Sequence, residues 1–222
     1  QVLWAQAKVG GVTEADVIQA GDSPFLSISK SGIIYLVDPF TGTEKFNSAD
    51  AGLDKVMSSD FLYRNNGILI LGKSGDKEKL LLTDISTGKI QWTIEADFGK
   101  IVTVAELSEE EILVVTLFHN YRINSHSGDV IWKNATSDAA DQLANLGAFG
   151  SLLKEAAEQQ TQNMDINIGF WKHPSEDIFI IGSEQESQSS FSSSSSSSAA
   201  GPSYKNVYYA YDMKDGSRLW KK

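Results

Sequence analysis

The sequence predicts an all-β protein made of four-stranded antiparallel blades. Three observations carry that expectation. One turn motif recurs four times in the same register, its copies fall at the spacing of a repeat array, and short apolar runs of strand length lie between them. The copies are DPFTGTEKF (Asp38 to Phe46), DISTGKIQW (Asp84 to Trp92), NSHSGDVIW (Asn124 to Trp132) and DMKDGSRLW (Asp212 to Trp220). Each places Asp or Asn four residues before a Gly, and an aromatic four residues after it.

The turn chemistry explains the motif. Asp38, Asp84, Asn124 and Asp212 have short polar side chains that bond the backbone ahead of them, and Gly42, Gly88, Gly128 and Gly216 take the positive φ that a tight hairpin needs. A strand precedes each turn, as in IIYLVD, KLLLTD and NVYYAYD, and another follows it, ending on Phe46, Trp92, Trp132 or Trp220. Two further apolar runs lie upstream in each unit: KVMSSDFLY and GILILG, then KIVTVAEL and EILVVTL, then DINIGFWK and DIFIIG. Four strands per unit is the content of a β-propeller blade. The chain opens on QVLW, so Trp4 reads as the aromatic of a further copy, an orphan outer strand. The aromatics at 4, 46, 92, 132 and 220 are 42, 46, 40 and 88 residues apart, and the first three steps lie within the blade period of roughly 40–50 residues.

Two insertions account for the long last step. Residues 136–162 carry Leu143, Leu146, Phe149, Leu153 and Ala157 at three- and four-residue spacing, which predicts an amphipathic helix with Ser137 as its N-cap. Residues 183–203 are a serine-rich run that cannot bury enough apolar surface to offset its ordering entropy, which predicts a disordered loop. The whole of 1–222 then reads as one propeller domain or an arc of a larger one. A closed four-bladed monomer and an eight-bladed ring made by two copies are its other possible forms.

These turns resemble the PQQ-like β-propeller repeat, A-x-D-x-x-T-G-x-x-x-W. Asp84, Thr87, Gly88 and Trp92 match it. So do Asp38, Thr41 and Gly42 with Phe46 for Trp, Gly128 and Trp132 with Asn124 and Ser127 as substitutes, and Ala210, Asp212, Gly216 and Trp220 with Asp215 for Thr. The alanine position is Leu36, Leu82 and Arg122 elsewhere. The resemblance implies that the motif tryptophans dock between blades and bind no quinone. Quinone-dependent dehydrogenases of similar repeats use eight blades, a calcium site and a vicinal disulfide, whereas this chain has four repeats and no cysteine. No catalytic, cofactor or metal residue is therefore assigned, and no cofactor is expected.

The string GILILGKS, residues 67–74, matches the phosphate-loop pattern G-x-x-x-x-G-K-[ST] letter for letter. A phosphate loop needs a glycine-rich turn between a strand and a helix N-terminus. Here Ile68, Leu69, Ile70 and Leu71 make a strand themselves, and DIFIIGSE occupies the same place in the fourth repeat. The stretch reads as a second blade strand, with Lys73 and Ser74 in the turn after it.

Composition narrows the partners. The net charge of −10 disfavours nucleic acid, and no apolar run reaches the about 18 residues that span a membrane. His119, His126 and His173 fall at unrelated positions, and Glu109 to Glu111 reads as a solvated run. The expectation is a non-enzymatic scaffold in an extracytoplasmic compartment, binding another protein or a peptide, with Phe149, Leu152 and Leu153 of the inserted helix as contact residues. The alternative is a quinone- or metal-dependent enzyme or a small-molecule binder using the central channel, drawing on Glu14, Asp16, Asp60, Glu106, Asp165 and Asn167 of the innermost strands.

Overall fold

A computed structural model describes residues 14–20, 23–136, 168–186 and 204–222. Among the described residues sixteen strands make four sheets, each a β-meander in chain order. Sheet 1 holds β1 (Glu14–Ala20), β2 (Ser23–Lys30), β3 (Ile33–Val37) and β4 (Glu44–Asn47). Sheet 2 holds β5 (Lys55–Leu62), β6 (Gly67–Ser74), β7 (Lys77–Asp84) and β8 (Ile90–Glu95). Sheet 3 holds β9 (Ile101–Glu106), β10 (Glu111–Thr116), β11 (His119–Asn124) and β12 (Val130–Ala135). Sheet 4 holds β13 (Ile168–Lys172), β14 (Ile178–Glu186), β15 (Tyr204–Asp212) and β16 (Arg218–Lys221).

There is no helix among the described residues. The helix expected over 136–162 lies outside them except for Thr136, and so do Phe149, Leu152, Leu153 and Trp4. The serine-rich segment begins later than its composition suggests. Residues 183–186 belong to β14 and pair with β15 through Glu186↔Tyr204, because each residue added to the ladder gains a cross-strand partner. Residues 187–203 lie outside the described residues.

The chain divides into two compact units, residues 1–133 and 134–222. In the first unit the pairing registers align rungs across each sheet. Sheet 1 carries Asp16–Ser27–Leu36–Phe46, and sheet 2 carries Asp60–Leu69–Leu82–Trp92. The register slips one step past each of these rungs, between Leu36 and Val37 and between Leu82 and Thr83, so the same bulge recurs where the outer strand begins.

Sheet 2 is buried on both faces. Ile68, Ile70 and Leu81 meet Leu36 and Phe46 of sheet 1, while Leu69, Leu71, Leu80, Leu82 and Trp92 meet Ile112, Val114, Tyr121 and Ile123 of sheet 3. That is why GILILG is an unbroken apolar run and not an alternating one. Each such buried side chain contributes about 1.5–3 kcal/mol. The strand is followed by a turn at Gly75 and by β7, with no helix N-terminus to meet a phosphate.

In the second unit, sheet 4 repeats the rung as Trp171–Ile180–Ala210–Trp220, with the slip again one step on, between Ala210 and Tyr211. Its opposite face buries Phe179, Ile181, Tyr209 and Tyr211, with the Phe179 and Tyr211 rings stacked at 5.0 Å.

Candidate functional site

The four motif turns share one geometry. The glycine N–H donates to the carbonyl of the Asp or Asn four residues before it, at 2.8 Å for Gly42→Asp38 and Gly88→Asp84, and 2.9 Å for Gly128→Asn124 and Gly216→Asp212. The acidic or amide Oδ1 accepts the backbone N–H groups that follow: Phe40 and Thr41 on Asp38, Thr87 on Asp84, His126 and Ser127 on Asn124, Lys214 on Asp212. Those bonds, from Phe40 first and Thr41 next, hold the Asp38 carboxyl below the usual carboxylate range. All four glycines have φ between 69° and 78°.

Between units of the motif these turns also form contacts. The Trp92 Nε1–H donates to the Ser125 carbonyl at 2.7 Å, inside the third turn, and the ring lies over Gly128, where an added Cβ would sit 2.9 Å from it. Phe46 packs with Ile85 of the second turn in one buried cluster. An outer-strand aromatic is thus seated on the turn of the following sheet in both cases within the first unit. The turn motif explains its aromatic only through this contact, which a single repeat does not reveal.

The innermost strands of sheets 1 and 2 border a cleft of about 450 Å³. Asp16 and Gln19 of β1, Ser27 of β2, and Asp60, Phe61 and Tyr63 from β5 and the turn after it are among its lining residues. Asp16 and Asp60 hold equivalent rungs of their sheets. The rings of Phe61 and Tyr63 meet edge to face at 4.3 Å, and Tyr63 is 77% exposed.

The innermost-strand residues expected to converge do so in part. Asp16 and Asp60 come together at the cleft. Glu106 is used elsewhere, where its Oε1 accepts the Arg64 N–H at 2.9 Å and the Asn65 N–H at 3.3 Å and so caps the β5–β6 turn. Asp165 and Asn167 lie outside the described residues. Phe61 and Tyr63 had no signal as site residues, because an FLY run at a strand end looks like core until its neighbours are known. His126 sits in the third motif turn, and His173 accepts the Glu176 N–H at 3.1 Å. Glu111 pairs with Arg122 across sheet 3. Among the described residues no three His, Cys, Asp or Glu side chains are placed to hold a metal ion.

Burial raises the Asp60 carboxyl above its ordinary value, with no hydrogen bond or ion pair to oppose it. The folded chain therefore holds that proton more tightly than the unfolded chain, and stability falls as pH rises from the ordinary Asp value through the raised one. Asp60→Asn removes the dehydrated charge. It is expected to raise the thermal midpoint near pH 7 and to lose that advantage at about pH 3, below the ordinary Asp value of about 3.9. A midpoint lowered at neutral pH would contradict this.

No helix among the described residues is long and apolar enough to cross a membrane. No family model matches the chain, and no curated protein matches it. Among solved structures it is similar to BamB from Moraxella catarrhalis, at 16% identity and a TM-score of 0.48 over 93% of this chain and 47% of that one. It is also similar to the quinohemoprotein alcohol dehydrogenase from Comamonas testosteroni, at 10% identity and a TM-score of 0.47 over 96% of this chain and 35% of that one. The Dos1 propeller is similar at 12% identity and a TM-score of 0.46, over 89% and 44% of the two chains. The chain spans about half or less of the length of these three structures.

Proposed function

We propose that this chain is a non-enzymatic interaction scaffold of the PQQ-like propeller type, an arc of a larger ring, working in an extracytoplasmic compartment. Its motif turns, which resemble that repeat, are the ground for the type and the compartment. One observation supports the scaffold reading. Phe46 and Trp92 are each 6% exposed, seated against a following sheet, whereas on the sheet 4 rung Trp171 is 51% and Trp220 43% exposed, with Tyr208 beside them at 37%. The Trp171 and Tyr208 rings lie 6.2 Å apart above Gly182, where a Cβ would come within 2.9 Å of Tyr208. An exposed Trp171–Tyr208 pair, with Trp220 on the same face of sheet 4, supports an interaction role for that face.

The two seated aromatics define what fits this face: a protein sheet carrying a D-x-x-T-G turn, whose backbone carbonyl would receive the Trp220 indole N–H. A second copy of this chain supplies such a sheet in its own Asp38–Gly42 turn, with Phe40 exposed, and two copies joined this way form the eight-bladed version of the reading.

Sedimentation over a wide concentration range tests the face. Wild type is expected to self-associate or to bind an apolar dye. Trp171→Ser with Trp220→Ser is expected to abolish both while keeping the melting curve of the fold. A wild type that stays monomeric and takes up no dye overturns the reading.

A further inference from the structure

We infer that the cleft between β1 and β5 is a binding site for an organic cation, a guanidinium group such as ends an arginine side chain. This stands whether or not sheet 4 docks a partner.

The cleft is concave and lies on the innermost strands of two sheets that are fixed against each other by a shared buried cluster, so its walls are preformed. Among the described residues its lining contains two carboxylates, Asp16 and Asp60, and no Lys, Arg or His. Asp60 is partly dehydrated, and it makes no hydrogen bond or ion pair with any described residue. A carboxylate in that position is relieved by a cation and made worse by an anion.

The aromatic wall decides which kind of cation. Tyr63 and Phe61 supply π surface, which attracts a flat, weakly hydrated guanidinium. A divalent metal gains nothing from such a wall and needs about six oxygen ligands, whereas no metal-holding cluster occurs among the described residues. Guanidinium carries five N–H donors in one plane, more than one carboxylate can accept, and Asp16, Asp60 and Ser27 all supply acceptor oxygens to the cleft lining. The chain's net charge of −10 adds a general attraction for cations over anions.

Isothermal titration of the full chain with arginine amide tests the assignment, with citrulline amide as the neutral isostere. Arginine amide is expected to bind saturably and to weaken as salt rises, and citrulline amide to bind at least about tenfold more weakly. Asp16→Asn and Asp60→Asn are each expected to lose about tenfold in affinity, and Tyr63→Ala about threefold. Thermal melts of each variant separate loss of binding from loss of fold, and Asp60→Asn should melt no lower than wild type at neutral pH. The inference is overturned if arginine amide gives no saturable heat, if citrulline amide binds equally well, or if the doubly substituted Asp16→Asn, Asp60→Asn chain binds like wild type. It is also overturned if calcium chloride binds the cleft more tightly than arginine amide.

Discussion

Trp92→Ala is expected to destabilise the first unit by about 3–5 kcal/mol, the usual cost of emptying a large aromatic site in a core. Trp92 is buried between sheets 2 and 3 in the cluster that holds Leu69, Leu82, Ile112 and Tyr121, so its removal opens a void that several neighbours border. It also takes away the donor to the Ser125 carbonyl at 2.7 Å. Ser125 is itself buried, with its hydroxyl already donating to the Glu109 carbonyl at 2.6 Å, so it has no obvious means of turning to water. Leaving that carbonyl unpaired adds a penalty of about 1–3 kcal/mol, which places the variant at the upper end of the range. Trp92→Phe keeps much of the ring and loses the bond, and is expected to fall between wild type and Trp92→Ala. Urea unfolding of the three chains gives the order directly. Trp220→Ala supplies the contrast, since a side chain 43% exposed on sheet 4 is expected to cost far less. A Trp92→Ala cost under about 1 kcal/mol would mean that the aromatic does not hold the two sheets together.

That prediction rests on a contact the sequence indicates only indirectly. The meander itself was legible, because Asp or Asn, Gly and aromatic recur at fixed offsets and turn chemistry is local. The four-strand count was legible too, since the apolar runs between turns have strand length. GILILGKS shows both the reach of such reading and its limit. Comparison with DIFIIGSE identified it as a strand, yet its unbroken apolar pattern has its cause in two separate partners, Leu36 and Phe46 on one face and Ile112 and Val114 on the other. No local rule names those partners. The cleft was half legible. Alternating acids on the innermost strands pointed to Asp16 and Asp60, but the same signal included Glu106, which caps a turn instead. Acidic residues look alike in sequence. Whether a carboxylate caps a turn or borders a cleft depends on the neighbouring sheet, which lies about forty residues away in the chain. Tyr63 carried no signal at all, for the same reason.

Gly88→Ala is expected to be among the most damaging single-methyl additions in the first unit, and Gly75→Ala is the measurement that shows why. Both glycines are left-handed, with φ of 69° and 62°, so both substitutions carry the same backbone cost of about 1–2 kcal/mol. They differ in what the new methyl meets. Around Gly75, in the β6–β7 turn, nothing lies within 4 Å. At Gly88 the methyl would overlap the backbone carbonyl of Lys45, on the outer strand of the preceding sheet. A backbone carbonyl in a paired strand has no rotamer to escape into, so β4 or the whole second turn must move and the Phe46 contact with Ile85 must loosen with it. The expected cost is above about 3 kcal/mol, against about 1–2 for Gly75→Ala. Gly128→Ala belongs between them, because its methyl would press at 2.9 Å on the Trp92 ring, a side chain able to shift a little. The order Gly75, Gly128, Gly88 in denaturant midpoints would show that the motif glycine does more than turn the chain: it leaves room for the preceding sheet to lie directly on the turn. Equal costs at all three positions would leave it only its conformational role. The D-x-x-T-G turn is then an interface element as much as a hairpin, which is why the exposed aromatics of sheet 4 are proposed as the seat for another such turn.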